Sequence, residues 1–226
     1  MNISKIQILG PFNTGTNLLT KILKKNIQQK IQIHDQGQTL CWKHTFIKSL
    51  IEEKIKHNPD TLFICVYKPL HNWVCSMQKS SYNIKWDKTL SGKCKFNANE
   101  KLPGGRFNRN YSNIVEIYNM YYNMYIQLIN DHKRVIFMNY YDIIVKENVV
   151  KYLTNKLSVF NLTIKGKHDI FNILNKPSKG HGRPVKSANA AINKADKCYN
   201  DINNCEKNKL LIKKWFNYEI KDYFEH

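Results

Sequence analysis

The stretch that decides the fold is IQILGPFNTGTNLL, residues 6–19. An apolar run ends at Gly10, a turn follows, and an amphipathic helix opens near Thr16. Backbone N–H groups at a helix N-terminus have no intrahelical partner and lie at the positive end of the helix dipole, so they favour an anion. The stretch therefore predicts a phosphate-binding turn between a strand and a helix.

The glycines of this turn keep the spacing of a nucleotide-binding loop, but the loop lysine is missing. Gly10 and Gly15 fit G-x-x-x-x-G, whereas Thr16 and Asn17 stand where an ATP-binding loop has Lys and Ser or Thr. Such an enzyme also needs an acidic residue at the end of a neighbouring strand to hold Mg²⁺. Here the apolar run 61–67 is followed by Lys68 and, two helical turns later, by Ser76. This pair favours a second phosphate over a metal ion.

Strand-like and helix-like segments alternate along the chain. Predicted strands cover residues 4–9, Thr39–Lys43, 61–67 and 134–138, and predicted helices cover 16–29, 46–57, 70–80, 112–130, 147–157 and 206–217. The alternation predicts a three-layer α/β fold with a mostly parallel central sheet flanked by helices and a P-loop-like topology. The unbroken apolar run 61–67 is typical of a central strand, expected beside the first strand. We predict a single domain, 1–226.

Two segments lack clear periodicity. Residues 81–110 contain glycines, lysines and asparagines and are predicted to be an irregular functional insertion, and 176–187 is rich in Lys, Gly and Pro. The tyrosines of 112–130 follow helical spacing, which predicts a packed face. They are Tyr118, Tyr121, Tyr122 and Tyr125.

Composition sets the class of partner. The formal charge is +19, which attracts anions, although richness in Asn, Ile, Lys and Tyr is also typical of AT-rich genomes, viral or protist. With no membrane-spanning run and no apolar signal core, we expect a cytoplasmic protein.

The six cysteines form no C-x-x-C pair, so no metal site is predicted. Cys41, Cys65 and Cys75 are expected to be buried, and a Cys198–Cys205 disulfide is an open alternative that a reducing cytosol disfavours.

Four segments resemble motifs of the sulfotransferases that use 3′-phosphoadenosine 5′-phosphosulfate (PAPS). In chain order they are NTGTNLL (13–19), WKHTF (42–46), VYKPLHNWVCSM (66–77) and KPSKGHGR (176–183). They resemble the 5′-phosphosulfate loop, the Lys/His segment that supplies the catalytic base, the 3′-phosphate motif and the late basic loop that closes over the cofactor. Together with helix 112–130, the similarity covers most of the chain in the family's order.

The resemblance implies a site for PAPS that needs no metal. The implied cofactor-binding residues are Thr14, Gly15, Thr16, Asn17, Leu18, Lys68, Ser76, Lys179 and Gly180. His44 is implied as the general base, with Lys43 and Asn13 in catalytic positions. Asn13 departs from the family, which usually has Lys or Arg there, so Lys43 or a lysine of 176–186 is expected to supply the missing cation. Lys68 replaces the usual Arg, which removes a bidentate fork but keeps the charge.

The acceptor is implied only as a hydroxyl group, with carbohydrate, peptide tyrosine, lipid and phenol all open. The basic segments 81–110 and 176–187 favour a polar or anionic acceptor such as a glycan. Other function classes remain as alternatives: a basic nucleic-acid-binding protein, although no recognition module is visible, a nucleotide kinase relative without its loop lysine, or an inactive relative that only binds.

Overall fold

The computed structural model describes residues 2–34, 40–102, 105–145, 148–175, 179–180, 183–184 and 205–225. Its central element is a four-stranded sheet of β1 (Lys5–Leu9), β2 (Gln32–His34), β3 (Thr61–Tyr67) and β7 (Val135–Asn139). All neighbouring strands are parallel, and their order is β2-β1-β3-β7. β3 is buried along its whole length and pairs with β1, so the prediction of a central strand beside the first is confirmed.

Helices cover both faces of this sheet. One apolar cluster joins Leu62, Ile64 and Val66 of β3 to α1 (Thr16–Asn26), α6 (Val149–Ser158) and α7 (Lys167–Asn175). A second joins Phe63, Cys65 and Tyr67 to helices on the opposite face. Those helices are α2 (Lys48–His57), α3 (Leu70–Lys79), α4 (Ile114–Asp131), α8 (Glu206–Trp215) and α9 (Tyr218–Glu225). Because successive side chains of β3 alternate between the clusters, the sheet lies between two helical layers, and the α/β class is confirmed.

The prediction that 81–110 is irregular is wrong. This segment contains an antiparallel sheet of β4 (Ile84–Lys85), β5 (Cys94–Leu102) and β6 (Gly105–Tyr111). Phe96 is buried on its inner face and lies 5.0 Å, centroid to centroid, from the ring of Phe46. Residues 93–96 alternate between exposed lysines and buried Cys94 and Phe96, but this period of two covers few residues between polar stretches.

The second strand was also predicted in the wrong place. β2 pairs in register with Lys5–Gln7, whereas residues 40–43 form no strand and Thr39 lies outside the described residues. Leu40 instead donates its backbone N–H to the side-chain oxygen of Gln7 at 3.1 Å. The segment thus follows β1 through isolated hydrogen bonds and not through a ladder.

The remaining boundaries differ by a few residues, with three additions. The short helix α5 (Tyr140–Ile144) follows β7 directly, α7 lies where the sequence predicts no helix, and the predicted last helix is two helices, α8 and α9. Of the segment 176–187, only β8 (Lys179–Gly180) and β9 (Arg183–Pro184), paired antiparallel, lie within the described residues.

The burial expected of three cysteines is confirmed. Cys41, Cys65 and Cys75 are all buried, and Cys75 is disulfide-bonded. Cys205 is free, so the Cys198–Cys205 alternative is wrong. Of the helices described, none is long and apolar enough to cross a membrane.

Candidate functional site

The turn after β1 lies at a topological switch point. β1 is flanked by β2 on one side and β3 on the other, so the chain leaves β1 in one direction and later returns to its other side. In open parallel sheets, ligands bind in the crevice that such a reversal leaves at the carboxyl ends of the strands. The turn after β1 and the residues after β3 both lie there.

Both glycines of the turn are required by its geometry. Gly15 has a φ of 87°, and a Cβ added to it would lie 2.6 Å from the ring of Tyr140. A Cβ on Gly10 would lie 2.6 Å from the Thr14 hydroxyl oxygen. We call the turn of residues 10–15 the cradle. At both glycines its backbone lies too close to neighbouring atoms to leave room for a side chain.

Helix α1 opens directly from this cradle, as predicted. Its first residues are Thr16, Asn17 and Leu18. The first intrahelical bond runs from the Leu19 N–H to the Gly15 carbonyl, so the backbone N–H groups of these three residues come before the first intrahelical donor. Thr14 is fully buried and donates its hydroxyl to the carbonyl of Pro11 at 2.8 Å, so this hydroxyl closes the turn.

Lys68 contacts the cradle. Its ammonium donates to the Asn13 carbonyl at 3.0 Å and to the Ser76 hydroxyl at 2.8 Å, and it lies 4.5 Å from the centre of the Tyr140 ring. Ser76 in turn donates to the carbonyl of Asn72, one helical turn earlier. The eight-residue spacing thus brings Lys68 and Ser76 together, as the sequence predicts.

This lysine is buried, and no opposite charge contacts it among the described residues. Only 7% of Lys68 is exposed, and its ammonium contacts no carboxylate in the described part of the chain. Burial, and to a lesser extent the charge of Lys79, lowers its pKa to about 7. Because a desolvated cation is unstable beside neutral groups alone, the position favours an incoming anion.

The His44 segment is fixed to the same cradle. The backbone N–H of Gly10 donates to the Lys43 carbonyl at 2.9 Å, and His44 Nδ1 lies 2.6 Å from the Gly10 carbonyl oxygen. Because a carbonyl only accepts, Nδ1 carries the proton and Nε2 keeps its lone pair. Lys43 also donates its ammonium to the side-chain oxygen of Asn17, in the first turn of α1. An imidazole and a second ammonium group therefore border the turn.

His44 is neutral in this environment. Burial is the largest cause that lowers its pKa to about 4, with a smaller contribution from Lys43, against the hydrogen bond to Gly10 that raises it. Aromatic rings surround the imidazole, with Phe12 at 4.5 Å and Trp42 at 5.5 Å between ring centres. Tyr82, which is 43% exposed, stacks on Phe12 at 5.2 Å.

The Asn13 side chain points to α3 and not over the cradle. Its amide donates to the carbonyls of Ser80 at 2.7 Å and Ser76 at 3.3 Å. These bonds brace the C-terminal end of α3 and give the residue a structural role, so they do not support the predicted catalytic one. Lys179 and Gly180 are described only as backbone of β8.

Sequence reasoning missed Tyr140 as a site residue. It follows β7, whose carboxyl end lies beside that of β3, so its ring reaches both Gly15 and Lys68. The signal in the sequence is an aromatic residue directly after a strand. It indicates a residue of this site only if that strand is known to lie beside β3.

Comparisons of the chain with known protein families, with curated proteins and with solved structures found no match. The described residues hold no group of three or more His, Cys, Asp or Glu side chains placed to bind a metal ion.

Proposed function

We propose that the protein is a PAPS-dependent sulfotransferase that transfers a sulfuryl group to the hydroxyl of an acceptor, for which a glycan is the favoured class. The observation that carries the proposal is the contact between Lys68, a buried cation with neutral partners, and the cradle that follows β1. The N-terminus of α1 and the Lys68–Ser76 pair lie at one switch point, and each suits an anion. Together they suit a nucleotide with one anionic group on its 5′ side and another on its 3′ side. The sheet order around β1 also supports the P-loop-like topology expected from the turn.

The residues of this site fit a nucleotide with two separate anionic groups. The N–H groups at the start of α1 would hold the 5′-phosphosulfate, and Lys68 with Ser76 would hold the 3′-phosphate. PAPS supplies the sulfuryl group when bound. The glycine positions favour this use because they let the backbone itself approach the anion.

His44 and Lys43 divide the chemistry in this proposal. His44 Nε2 accepts the proton of the acceptor hydroxyl, since its Nδ1 is already committed to Gly10. Lys43, tethered to Asn17 at the α1 N-terminus, neutralises charge there and replaces the cation that Asn13 does not supply. A low pKa keeps His44 in the neutral form that a base requires.

Binding of adenosine 3′,5′-bisphosphate, the nucleotide product, is the direct test. Because a ligand that binds only the folded protein stabilises it, we expect the bisphosphate to raise the melting temperature in EDTA. The increase should exceed the one that Mg²⁺–ATP gives in buffer without EDTA. Protection by Mg²⁺–ATP alone would favour a nucleotide kinase relative instead. Steeply salt-dependent binding of random DNA without affinity for the bisphosphate would favour a nucleic-acid-binding protein.

Turnover tests the second half of the proposal. Transfer of labelled sulfate from PAPS is measured with a panel of glycans, phenols and tyrosine peptides, comparing wild type with His44→Ala. We expect the substitution to lower kcat by about 10²- to 10⁴-fold while bisphosphate affinity is retained. Binding without transfer to any class of acceptor would identify an inactive relative.

A further inference from the structure

Tyrosine hydroxyls of α4 hold the backbone of Lys68. Tyr67 is the last β3 residue paired with β7, so Lys68 lies just beyond the ladder. Its backbone N–H donates to the Tyr122 hydroxyl at 3.0 Å, and its carbonyl accepts from Tyr118 at 2.9 Å. Because a buried backbone group without a hydrogen-bond partner is destabilising, these hydroxyls take the place of a neighbouring strand.

The same helix holds His44. The Tyr121 hydroxyl donates to the His44 carbonyl at 2.7 Å. Residues 40–44 form no ladder with β1, and two bonds to Gly10 hold residues 43–44 on the side that faces β1. Tyr121 therefore fixes the end of the residue opposite to the imidazole.

Tyr125 shows that packing alone does not need these hydroxyls. It is buried in the same cluster as Tyr118, Tyr121 and Tyr122, and the exposed fraction of all four is 0%. Yet among the described residues its hydroxyl has no hydrogen-bond partner. A phenyl ring would fill its place equally well, so Tyr125 provides a matched control.

We propose that α4 is a positioning element for the site, in which Tyr118 and Tyr122 set the place of Lys68 and Tyr121 sets the place of His44. The inference rests on the proposed function for the roles of Lys68 and His44. One rigid helix then fixes the separation between the strand-end cation and the base. A packed face of tyrosines, expected from the sequence only to fill the core, thereby acquires a function.

The test compares Tyr121→Phe, Tyr122→Phe and the control Tyr125→Phe, with Tyr118→Phe as a second variant at Lys68. NMR measures the solvent exchange of the His44 Nδ1 proton and of the Lys68 amide proton, and calorimetry measures the Kd for adenosine 3′,5′-bisphosphate. Loss of one hydrogen bond of about 1.4 kcal/mol corresponds to a tenfold change.

A crossed pattern is expected. Tyr121→Phe speeds exchange at His44 by about tenfold and leaves the Kd within about twofold, whereas Tyr122→Phe speeds exchange at Lys68 and raises the Kd by about three- to tenfold. Tyr125→Phe changes neither exchange rate nor affinity. A purely structural role would lower the melting temperature without this separation of readouts.

Equal changes at both protons in every variant, or changes no larger than those of Tyr125→Phe, would overturn the inference. The exchange measurements need no ligand. If wild type fails to bind the bisphosphate, the proposed function fails, while a crossed exchange pattern still supports positioning by α4. The two failures are therefore distinguishable.

Discussion

Lys68 is buried where β3 of the parallel sheet ends, whereas two lysines of the antiparallel sheet, Lys85 and Lys95, are exposed and lie opposite each other. Lys68 has two neutral oxygens and an aromatic ring around its ammonium. Lys85 and Lys95 are exposed cross-strand partners on β4 and β5. Exposed charges are screened by water and salt, but a buried one is not.

This difference teaches that the formal charge of +19 does not locate the site. Most lysines whose burial the structure describes are exposed, and their mutual repulsion is weak in water. Lys68 differs because its desolvation is not compensated by a carboxylate in the described residues. Removing the charge of the buried Lys68 should therefore weaken nucleotide binding, whereas removing the charge of an exposed lysine of the antiparallel sheet should not.

The largest effect is expected for Lys68→Met. Removing the ammonium should weaken binding of adenosine 3′,5′-bisphosphate by about 100-fold, the size of a charge-assisted contact of about 3 kcal/mol. The free energy of unfolding at pH 7 should not fall, because an apolar side chain of similar length no longer buries a charge. Calorimetric titration and urea unfolding measure the two quantities.

Lys95→Met is the matched control for affinity, which should be retained within about twofold. An equal loss of affinity in Lys68→Met and Lys95→Met would mean that net charge alone attracts the nucleotide.

The stability of wild type relative to Lys68→Met should also depend on pH. Because the pKa of Lys68 is about 7 against an ordinary 10.5, the unfolded chain binds more protons than the folded one between these values. Wild type should therefore gain stability relative to Lys68→Met as the pH rises from 7 to 10.

The next effect is the loss of stability in acid that His44 causes. Its pKa is about 4 when folded and near 6.5 when unfolded, so the unfolded chain binds more protons between these values and stability falls as the pH falls. Relative to His44→Asn, wild type should lose about 3 kcal/mol between pH 6.5 and 4, at about 1.4 kcal/mol per unit. Parallel stability curves for the two proteins would show that folding does not lower the pKa of His44.

How far the sequence predicts this site depends on the range of the contacts. The Lys68–Ser76 pair follows from helical spacing, and the cradle follows from glycine spacing and the start of α1, so local pattern is enough. The proximity of β1 and β3 follows from the unbroken apolar run of β3. These are the parts of the parallel sheet in which pattern and burial agree.

The antiparallel sheet and Tyr140 could not be predicted in this way. The alternation at residues 93–96 is too short to indicate a strand on its own, and the register of β5 shifts between Asn97 and Lys101. Tyr140 reaches Gly15 and Lys68 only because β7 lies beside β3, which no local pattern indicates. Likewise, His44 was expected after a strand but lies on a segment held by isolated hydrogen bonds.

A smaller effect is expected for Gly15→Ala. A side chain in the left-handed region costs about 1–2 kcal/mol, and the added Cβ would also press on the ring of Tyr140. We expect a loss of about 2 kcal/mol in the free energy of unfolding and weaker bisphosphate binding. Gly166→Ala is the control, because nothing lies within 4 Å of its added Cβ, and stability should be unchanged or slightly higher. Equal effects of the two substitutions, measured by urea unfolding, would contradict a constrained cradle.

The smallest effect is expected for Lys95→Glu, which turns a like-charge pair into an opposite-charge pair. Lys95 lies directly opposite Lys85, so the substitution should raise the free energy of unfolding by about 0.5 kcal/mol in low salt and by less in high salt. Bisphosphate affinity should stay within about twofold, since the substituted charge is exposed and screened. A loss comparable to that of Lys68→Met would place the antiparallel sheet in the binding site, and the distinction between buried and exposed lysine would no longer identify it.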